Sequence, residues 1–302
     1  MRYYQYLQNG TKHVGVEDDA GKITDMTALN SQIGSTLDLF NVASITGSDI
    51  DSVTRGILAA NPGAETVSAS EFFDGAEPGK HGATLLPPVD APEVWAFGVT
   101  YMDSMRERQA ESGSPDVYGK VYDADRPEAF FKATLDRLQS PFADVGIRAD
   151  SGWDVPEPEL AFVTYGGKIV GYTCGNDMSS RTIEGENPLY LPQAKVYDKS
   201  ASLGPALVSK ESIGDAQQLG VTLVIERDGK EAFQGQANTS EMKRDCEYLV
   251  DWLVRHNTIP DGTSVMTGTG TIPPPEFTLT EGDVVHITID KIGTLTNTVV
   301  VV

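Results

Sequence analysis

The stretch from Val155 to Pro205 decides the fold; it reads VPEPELAFVTYGGKIVGYTCGNDMSSRTIEGENPLYLPQAKVYDKSASLGP. Glu157 and Glu159 are two positions apart, and in a strand this spacing places both carboxylates on one face. The pair Gly166-Gly167 is flanked by apolar and β-branched residues, which is the pattern of a hairpin with a two-residue turn. The stretch therefore predicts two paired strands, with acidic side chains on one face of the first.

The predicted turn also determines which residues of the hairpin face each other. Counting outward from a two-residue turn, Glu159 faces Cys174. By the same count Glu157 faces Asn176, and Asp177 comes one step further. Asp177 then points to the opposite face, unless the strand bulges or ends there. The polar, turn-like residues that follow favour a strand end, so we expect the three acids to gather at one site.

Three carboxylates without a Cys or His ligand form an all-oxygen set. Such a set at Glu157, Glu159 and Asp177 favours Mg²⁺ or Mn²⁺, and also admits Ca²⁺, over Zn²⁺. The same spacing also fits a solvated acidic hairpin, which stays an alternative because the whole chain is acidic. From the spacing alone, both interpretations remain open.

Taken together, the motifs of this stretch resemble the fumarylacetoacetate hydrolase family. They are Glu157-Pro158-Glu159, the run from Asn176 to Arg181, and a lysine, Lys195, that precedes Gly204-Pro205. Further matching segments lie elsewhere in the chain, at Leu85–Pro88, Gly98–Tyr101 and Thr267–Thr269. Each motif alone is weak, but jointly they are specific, and the resemblance covers roughly residues 85 to 302.

The resemblance implies a fold, a metal and a set of ligand-binding residues. The fold would be a rolled, mixed β-sheet with few helices, and the metal would lie on Glu157, Glu159 and Asp177. The residues expected to bind the substrate, a small-molecule 2-keto acid, are Lys195, Arg181, Tyr101 and Thr269. Since family members usually form dimers or pairs of dimers, the resemblance also implies a homodimer or homotetramer.

One departure from the family pattern indicates the type of reaction. Carbon–carbon hydrolases of the family often carry a water-activating His and Glu after the first core strand, where this chain has Ser104 and Glu107. A serine hydroxyl cannot serve as a general base near neutral pH, whereas imidazole can. The segment from Glu184 to Lys195 moreover resembles the 2-keto-3-deoxy-D-arabinonate dehydratase subgroup.

These features predict a Mg²⁺-dependent dehydratase that converts a 2-keto-3-deoxypentonate into 2,5-dioxopentanoate in pentose degradation. Lys195 is the candidate base for the C3 proton, although it could instead be a cation that pairs with the substrate or with an acid of the site. Glu107 is the second candidate catalytic residue. Two alternatives stay open, namely carbon–carbon hydrolysis of an acylpyruvate or diketo sugar acid, and a non-catalytic ligand-binding protein.

The composition restricts the partners of the protein. The chain has 302 residues and a formal net charge of −21, which argues against nucleic acid and anionic membranes. The charge is dispersed, so it fits a generally acidic enzyme or, as we favour, a protein from a salt-rich cytoplasm. Two cysteines provide no disulfide framework, and no apolar run has the length of a signal peptide or membrane span. We therefore expect a cytoplasmic, soluble protein.

The order of predicted elements indicates a strand-rich α+β fold in two domains. Residues 1–84 are predicted to form a small N-terminal α/β domain, and residues 85–302 the catalytic mixed β-roll. Residues 114–125 are polar and aromatic and are predicted to be a loop, either a lid over the site or a plain surface connection. Close by in sequence, Lys132 is expected either to contact the ligand or to supply a cation beside the site.

Overall fold

Strands dominate the computed structural model of the protein, which describes residues 1–76, 83–111 and 115–302. In chain order the strands are β1 (Arg2–Gln8), β2 (Thr11–Glu17), β3 (Lys22–Asp25), β4 (Thr66–Ser68), β5 (Ala83–Leu86), β6 (Glu93–Gly98), β7 (Glu128–Thr134), β8 (Leu138–Gln139), β9 (Asp144–Ile147), β10 (Asp154–Tyr165), β11 (Lys168–Ser180), β12 (Ala201–Ser209), β13 (Gly220–Arg227), β14 (Lys230–Asn238), β15 (Ser264–Met266), β16 (Val284–Ile289) and β17 (Gly293–Val301). The predicted strand-rich α+β fold is confirmed.

Helices are fewer and mostly short. They are α1 (Met26–Leu29), α2 (Thr36–Thr46), α3 (Ile50–Ala60), α4 (Ala69–Ala76), α5 (Met102–Glu111), α6 (Pro115–Asp123), α7 (Arg181–Glu186), α8 (Leu191–Lys195), α9 (Lys210–Ile213) and α10 (Cys246–Val254). Among the described residues, no helix is both long enough and apolar enough to cross a membrane.

The strands form two sheets, and both are mixed. The larger sheet has the order β4-β3-β2-β1-β12-β11-β10-β15-β6-β7, with β5 paired to β1 and β8 paired to β12. The smaller sheet has the order β14-β13-β16-β17-β9. Most neighbours are antiparallel, whereas β6 with β15, β8 with β12 and β9 with β17 pair in parallel. This arrangement agrees with the mixed sheet that the sequence predicted.

The hairpin of β10 and β11 lies inside the larger sheet, and a bulge sets its register. Gly166 and Gly167 form the turn with φ values of 58° and 70°, a left-handed conformation that glycine adopts without strain. The register then shifts between Val163 and Thr164. A β-bulge of this kind adds one residue to one strand, and a count outward from the turn does not include it.

The bulge moves the acids onto one face of the sheet. Glu157 faces Asp177 and Glu159 faces Gly175, so each acid is one residue off its predicted partner. The predicted register is therefore wrong, and so is the strand end favoured near Asp177, since β11 continues to Ser180. Because directly opposed residues point to the same face, Asp177 joins Glu157 and Glu159 there.

The main hydrophobic core lies where the hairpin meets the smaller sheet and α10. Leu160 and Phe162 of β10 are fully buried in the same cluster as Leu223 of β13. Asp245 caps α10 by accepting a hydrogen bond from Tyr248 N at 2.7 Å. The opposite face of the hairpin therefore has a rigid support, which fixes the strands that carry the acids.

The N-terminal elements extend the larger sheet. Tyr3 of β1 pairs with Leu207 of β12, and β5 lies alongside β1. The buried Asp51 of α3 accepts hydrogen bonds from Tyr3 Oη at 2.7 Å and from Ser209 Oγ at 2.9 Å. Elements before and after residue 84 are thus joined by strand pairing and by buried side chains. The division into domains at residue 84 stays a prediction.

The segment predicted as a loop at residues 114–125 contains helix α6 instead. Its apolar and aromatic residues recur at helical spacing, as Val117 and Val121 show, and the high polarity of the segment obscured this period. The end of α6 is fastened to the start of α10, because Lys243 Nζ donates to Tyr122 O at 2.6 Å and Arg244 Nη2 donates to the same oxygen at 3.0 Å. Ser114 lies outside the described residues.

Candidate active site

The hairpin brings three buried carboxylates together. Glu157, Glu159 and Asp177 each offer one oxygen, and these oxygens all lie within 4.8 Å of one another. Their residues are only 4%, 1% and 0% exposed. A solvated acidic hairpin would leave these groups in water, so the structure excludes that alternative. Buried carboxylates need compensating charge, and most of the site consists of groups that provide it.

Lys195, at the end of α8, reaches two of the three acids. Its Nζ donates to Glu157 Oε2 at 2.7 Å, to Asp177 Oδ2 at 3.0 Å and to Ser179 Oγ at 2.5 Å. An ammonium group has three N–H donors, so these bonds use all of them. The structure thus places the predicted catalytic lysine within the acid cluster, where it acts as a bridging cation.

Two arginines complete the surroundings of Glu157. Arg108 Nη2 lies 2.9 Å and Arg181 Nη2 3.2 Å from Glu157 Oε1. Burial alone would raise the pKa of Glu157, but Lys195, Arg108 and Arg181 outweigh burial and hold this pKa well below its ordinary value. Glu157 is therefore ionised throughout the neutral range. Arg108 and Arg181 also form ion pairs with the buried Glu184.

Glu159 has a different environment, which is the best indication that the acid cluster binds a cation. Its Oε2 accepts a hydrogen bond from Gly268 N at 2.6 Å, and among the described residues no Lys or Arg forms an ion pair with it. Burial raises the pKa of Glu159 well above its ordinary value, and the negative charges of Asp177 and Glu157 add to the rise. A divalent cation would remove this repulsion, and three carboxylates are the donors that Mg²⁺ accepts. The site fits the predicted metal.

Lys132 of β7 holds Asp177 from the other side. Its Nζ lies 2.6 Å from Asp177 Oδ1 and donates to Met178 O at 2.8 Å and Lys195 O at 2.5 Å. Burial lowers the pKa of Lys132 to about 8, against the attraction of Asp177. Of the two predicted roles, this geometry favours the cation beside the site, since Nζ pairs with Asp177 and donates its hydrogen bonds to backbone oxygens.

The Thr267–Thr269 loop closes the site beside Glu159. Gly268 has a φ of 95°, and a Cβ there would lie 2.0 Å from Thr100 Oγ1. Thr100 Oγ1 in turn donates to Thr267 O at 2.7 Å. Val99 precedes Thr100 with a φ of 54°, which is strained for a β-branched residue. The backbone that presents the Gly268 amide to Glu159 is thus held tightly by the chain around it.

A narrow cavity opens onto the acids. The described residues that line it come from β6 and the residue after it, from β7, both strands of the hairpin, α5, α6, α7 and α8, and from the Thr267–Thr269 loop. They are Phe97, Gly98, Val99, Ser104, Arg108, Tyr118, Glu128, Phe130, Glu157, Asp177, Glu184, Leu191, Lys195, Gly268 and Thr269. Of the predicted site residues, Glu157, Asp177, Lys195 and Thr269 meet at this cavity. Glu159 lies beside them in the acid cluster.

Three other predicted site residues lie outside the cavity lining. Tyr101 is 2% exposed and packs in the core near Met242. Arg181 is 2% exposed and forms an ion pair with Glu157. Glu107 is partly exposed on α5. The assignments of Tyr101 and Arg181 to substrate binding and of Glu107 to catalysis stay predictions.

Glu128 is a cavity residue that sequence reasoning missed. A Cβ added to Gly98 would lie 2.2 Å from Glu128 Oε2, so the glycine leaves room for this carboxylate. Burial raises the pKa of Glu128 above its ordinary value, against the positive charges of Arg108 and Lys195. A sequence signal existed, because Glu128 starts the strand that pairs with β6, and Glu128 faces Gly98. Pairing of β6 with β7 was not predicted, so this signal was not recognised.

A comparison with protein families now identifies the fold. The model of the fumarylacetoacetate (FAA) hydrolase C-terminal domain matches residues 93–300. The chain belongs to the fumarylacetoacetate hydrolase family. The resemblance inferred from the motifs of the hairpin is thereby confirmed.

Within this family, the chain is similar to sugar-acid dehydratases. It is 47% identical over 302 residues to a probable 2-keto-3-deoxyxylonate dehydratase of Haloferax volcanii, covering 100% of both chains. It is 45% identical over 217 residues to a 2-dehydro-3-deoxy-D-arabinonate dehydratase of Saccharolobus solfataricus, covering 70% of this chain and 72% of the relative. A solved structure of 2-keto-3-deoxy-D-arabinonate dehydratase complexed with magnesium and 2,5-dioxopentanoate matches with a TM-score of 0.83 and 33% identity, covering 100% and 99% of the two chains.

Proposed function

We propose that this protein is a Mg²⁺-dependent dehydratase that removes one water molecule from a 2-keto-3-deoxypentonate to give 2,5-dioxopentanoate. Similarity over the full chain to dehydratases of such acids supports this reaction. One observation carries the proposal. The buried acids, Lys195 and Glu128 converge on one cavity, and Ser104 lines that cavity at the family's position for a water-activating histidine.

Glu157, Glu159 and Asp177 would hold the metal, because they form the buried carboxylate cluster of the hairpin. A divalent ion bound there would polarise the keto group of a 2-keto acid and stabilise negative charge on its oxygen. Lys195 and Lys132 keep the acids in position, and they partly neutralise the cluster. Arg108 adds positive charge at the cavity wall, where it can attract an anionic substrate.

Glu128 is the residue best suited to remove the C3 proton. A base needs a free lone pair, and the three N–H groups of Lys195 all donate to oxygen atoms of the site. A carboxylate in the same cavity with a raised pKa is a stronger base than an ordinary glutamate. We therefore assign proton abstraction to Glu128, and we assign to Lys195 its alternative role as a cation.

Glu128 can then serve as both the base and the acid for the loss of water. Glu128 takes a proton from C3, the C3–C4 double bond forms, and hydroxide leaves from C4. Glu128 can return the proton to the departing hydroxide, which leaves as water. The resulting enone tautomerises, so that the C5 alcohol becomes an aldehyde and 2,5-dioxopentanoate results.

Carbon–carbon hydrolysis is the nearest rival reaction. It requires a base that activates water for attack on a carbonyl group. The described residues that line the cavity include no histidine, and Ser104 cannot replace one near neutral pH. The predicted dehydration therefore fits the site better. A non-catalytic binding protein would have no need for Glu128 beside the acid cluster.

A product analysis tests the proposal. The purified protein is incubated with Mg²⁺ and a panel of 2-keto-3-deoxy sugar acids, and the molecular masses of the products are measured by mass spectrometry. We expect a pentonate to lose one water molecule, and we expect EDTA to stop the reaction. Products with fewer carbons would identify a hydrolase instead, and an unchanged panel would favour the binding protein.

Further properties are proposed on weaker support. The high negative charge supports a protein that works in a salt-rich cytoplasm. A homodimer or homotetramer is proposed from the usual behaviour of the family. The boundary between the two domains is proposed near residue 84, where a short strand returns to the larger sheet.

A further inference from the structure

The end of helix α6 is held by one buried side chain, that of Arg244. Its Nη2 donates hydrogen bonds to Tyr122 O at 3.0 Å, to Val121 O at 3.2 Å and also to Ala124 O. Arg244 is 6% exposed, so these bonds are largely shielded from water. The last carbonyl groups of a helix have no partners within the helix, and a positive charge near them is favourable. Arg244 therefore fixes the point at which α6 ends.

Residues 242–244, here called the brace, are also joined to a second part of the cavity wall. Lys243 N donates to Thr100 O at 3.0 Å, and Met242 forms an isolated antiparallel bridge with Tyr101. Thr100 and Tyr101 follow shortly after β6, whose last two residues line the cavity. The brace thus connects the end of β6 with the end of α6.

Glu128 is attached to both elements that the brace connects. It is the first residue of β7 and pairs with Gly98, the last residue of β6. In the other direction along the chain, it follows shortly after Asp123, where α6 ends. The chain therefore enters β7 directly from the point that Arg244 holds. The position of the Glu128 carboxylate depends on how the brace fixes these two neighbours.

The alternative is that Arg244 only stabilises the fold. Its second terminal nitrogen, Nη1, is buried and forms no hydrogen bond with the described residues. An unsatisfied buried donor costs stability, so this side chain is not arranged for stability alone. The acids that would hold the metal lie on β10 and β11, and Lys195 and Lys132 keep them in position. Loss of Arg244 should thus disturb Glu128 before it disturbs the metal site.

We propose that Arg244 is a positioning residue, which holds the connection between α6 and β7 against the end of β6 and so places the Glu128 carboxylate for removal of the C3 proton. This inference rests on the proposed dehydratase function and on the assignment of Glu128 as its base. Arg244 acts through Glu128, and it is not among the described residues that line the cavity. A displacement of about 1 Å at a catalytic group can cost about 100-fold in rate, even when the mutated residue is far from the chemistry.

A double-mutant cycle tests whether Arg244 acts through Glu128. We measure kcat and KM for the 2-keto-3-deoxypentonate with Arg244→Met and Arg244→Lys, each in the wild-type and in the Glu128→Gln background. Arg244→Met should lower kcat about 10- to 100-fold in the wild-type background and have little effect once the base is absent. Arg244→Lys keeps the charge and should recover part of this loss, and it keeps the cycle measurable if the methionine variant does not fold. The same factor in both backgrounds, or an unchanged kcat, would overturn the proposal.

Two further measurements do not depend on turnover. Calorimetric titration of Arg244→Met with Mg²⁺ should give the wild-type affinity, whereas loss of a residue that positions a metal ligand costs about 10- to 100-fold. Hydrogen exchange of backbone amides should become at least about tenfold faster in residues 121–128 and stay unchanged in residues 157–177. Arg55→Met removes an arginine whose side chain is 58% exposed on α3, and this matched control should change neither property.

The outcomes separate this inference from the proposed reaction. Absence of product with the wild type would overturn the dehydratase function, and the exchange measurement would still test the brace. Unchanged exchange in residues 121–128, or a loss of Mg²⁺ affinity as large as that for a residue that positions a metal ligand, would overturn the role of Arg244.

Discussion

Replacement of Glu128 by glutamine is the most informative substitution in the cavity. The amide has nearly the same shape as the carboxylate, so the space above Gly98 stays filled. It cannot accept the C3 proton, and loss of a general base lowers the rate by about 10²- to 10⁴-fold. We expect this loss in kcat with little change in KM, since Glu128 is not part of the carboxylate cluster that would hold the metal.

The pH dependence gives this prediction a second readout. Burial raises the pKa of Glu128, and a base acts only when it is ionised. Wild-type kcat/KM should therefore fall as the pH decreases through this raised pKa, and the residual activity of Glu128→Gln should lack that limb. A raised pKa also means that the folded protein prefers the neutral form of Glu128 to the charged form. Glutamine is always neutral, so the variant should be at least as stable as the wild type at pH 7.

The assay follows exchange of the C3 protons in D₂O by NMR, together with formation of the aldehyde product. Glu231→Gln removes a carboxylate from the exposed hairpin of β13 and β14, and it controls for loss of charge. Retention of more than a tenth of wild-type activity by Glu128→Gln would refute the assignment. Lys195 would then be the remaining candidate base.

Three further predictions concern the Thr267–Thr269 loop, one buried acid outside the cavity and the net charge. Gly268→Ala should weaken Mg²⁺ binding about 10-fold or more in calorimetric titration, because its Cβ would displace Thr100 and the amide bound to Glu159; Gly56→Ala, where a Cβ meets nothing within 4 Å, should leave the affinity unchanged. Burial raises the pKa of Asp154 to about 6, so this group should lower the free energy of unfolding as the pH rises from about 4 through 6, by up to about 3 kcal/mol. Asp154→Asn should remove that part of the pH dependence in urea unfolding, and an identical slope in both proteins would contradict it. Stability and activity should rise with KCl into the molar range as the charge of −21 is screened, whereas maximal stability in dilute buffer would argue against adaptation to salt.

The acid cluster could be predicted because its pattern is local. Glu157 and Glu159 share a face because side chains alternate along a strand, and Gly166-Gly167 predicts the turn after which the chain runs back to Asp177. The register could not be derived, since a bulge between Val163 and Thr164 leaves no distinctive residue in the sequence. The mismatch in parity was the one sign that a bulge or strand end had to exist.

The rest of the cavity depends on contacts between distant segments. Glu128 reaches the site because β7 pairs with β6, and Arg108 reaches it because α5 turns one face towards the hairpin. Periodicity assigns elements to a segment, but it does not assign their neighbours in the sheet. Helix α6 was not predicted for a related reason. Its polar composition outweighed the helical spacing of its few apolar residues, and the helix is held in place by contacts with α5 and Lys243 that the sequence does not reveal.

The fate of the substrate's carbon atoms tests the central claim most directly. Uniformly ¹³C-labelled 2-keto-3-deoxypentonate is incubated in D₂O with the protein and Mg²⁺, and the reaction is followed by ¹³C NMR. We predict one five-carbon product, 2,5-dioxopentanoate, with deuterium next to the keto group and no turnover after EDTA is added. Pyruvate together with a two-carbon fragment, or a product that forms equally well with EDTA, would contradict the assignment of metal-dependent dehydration to this site.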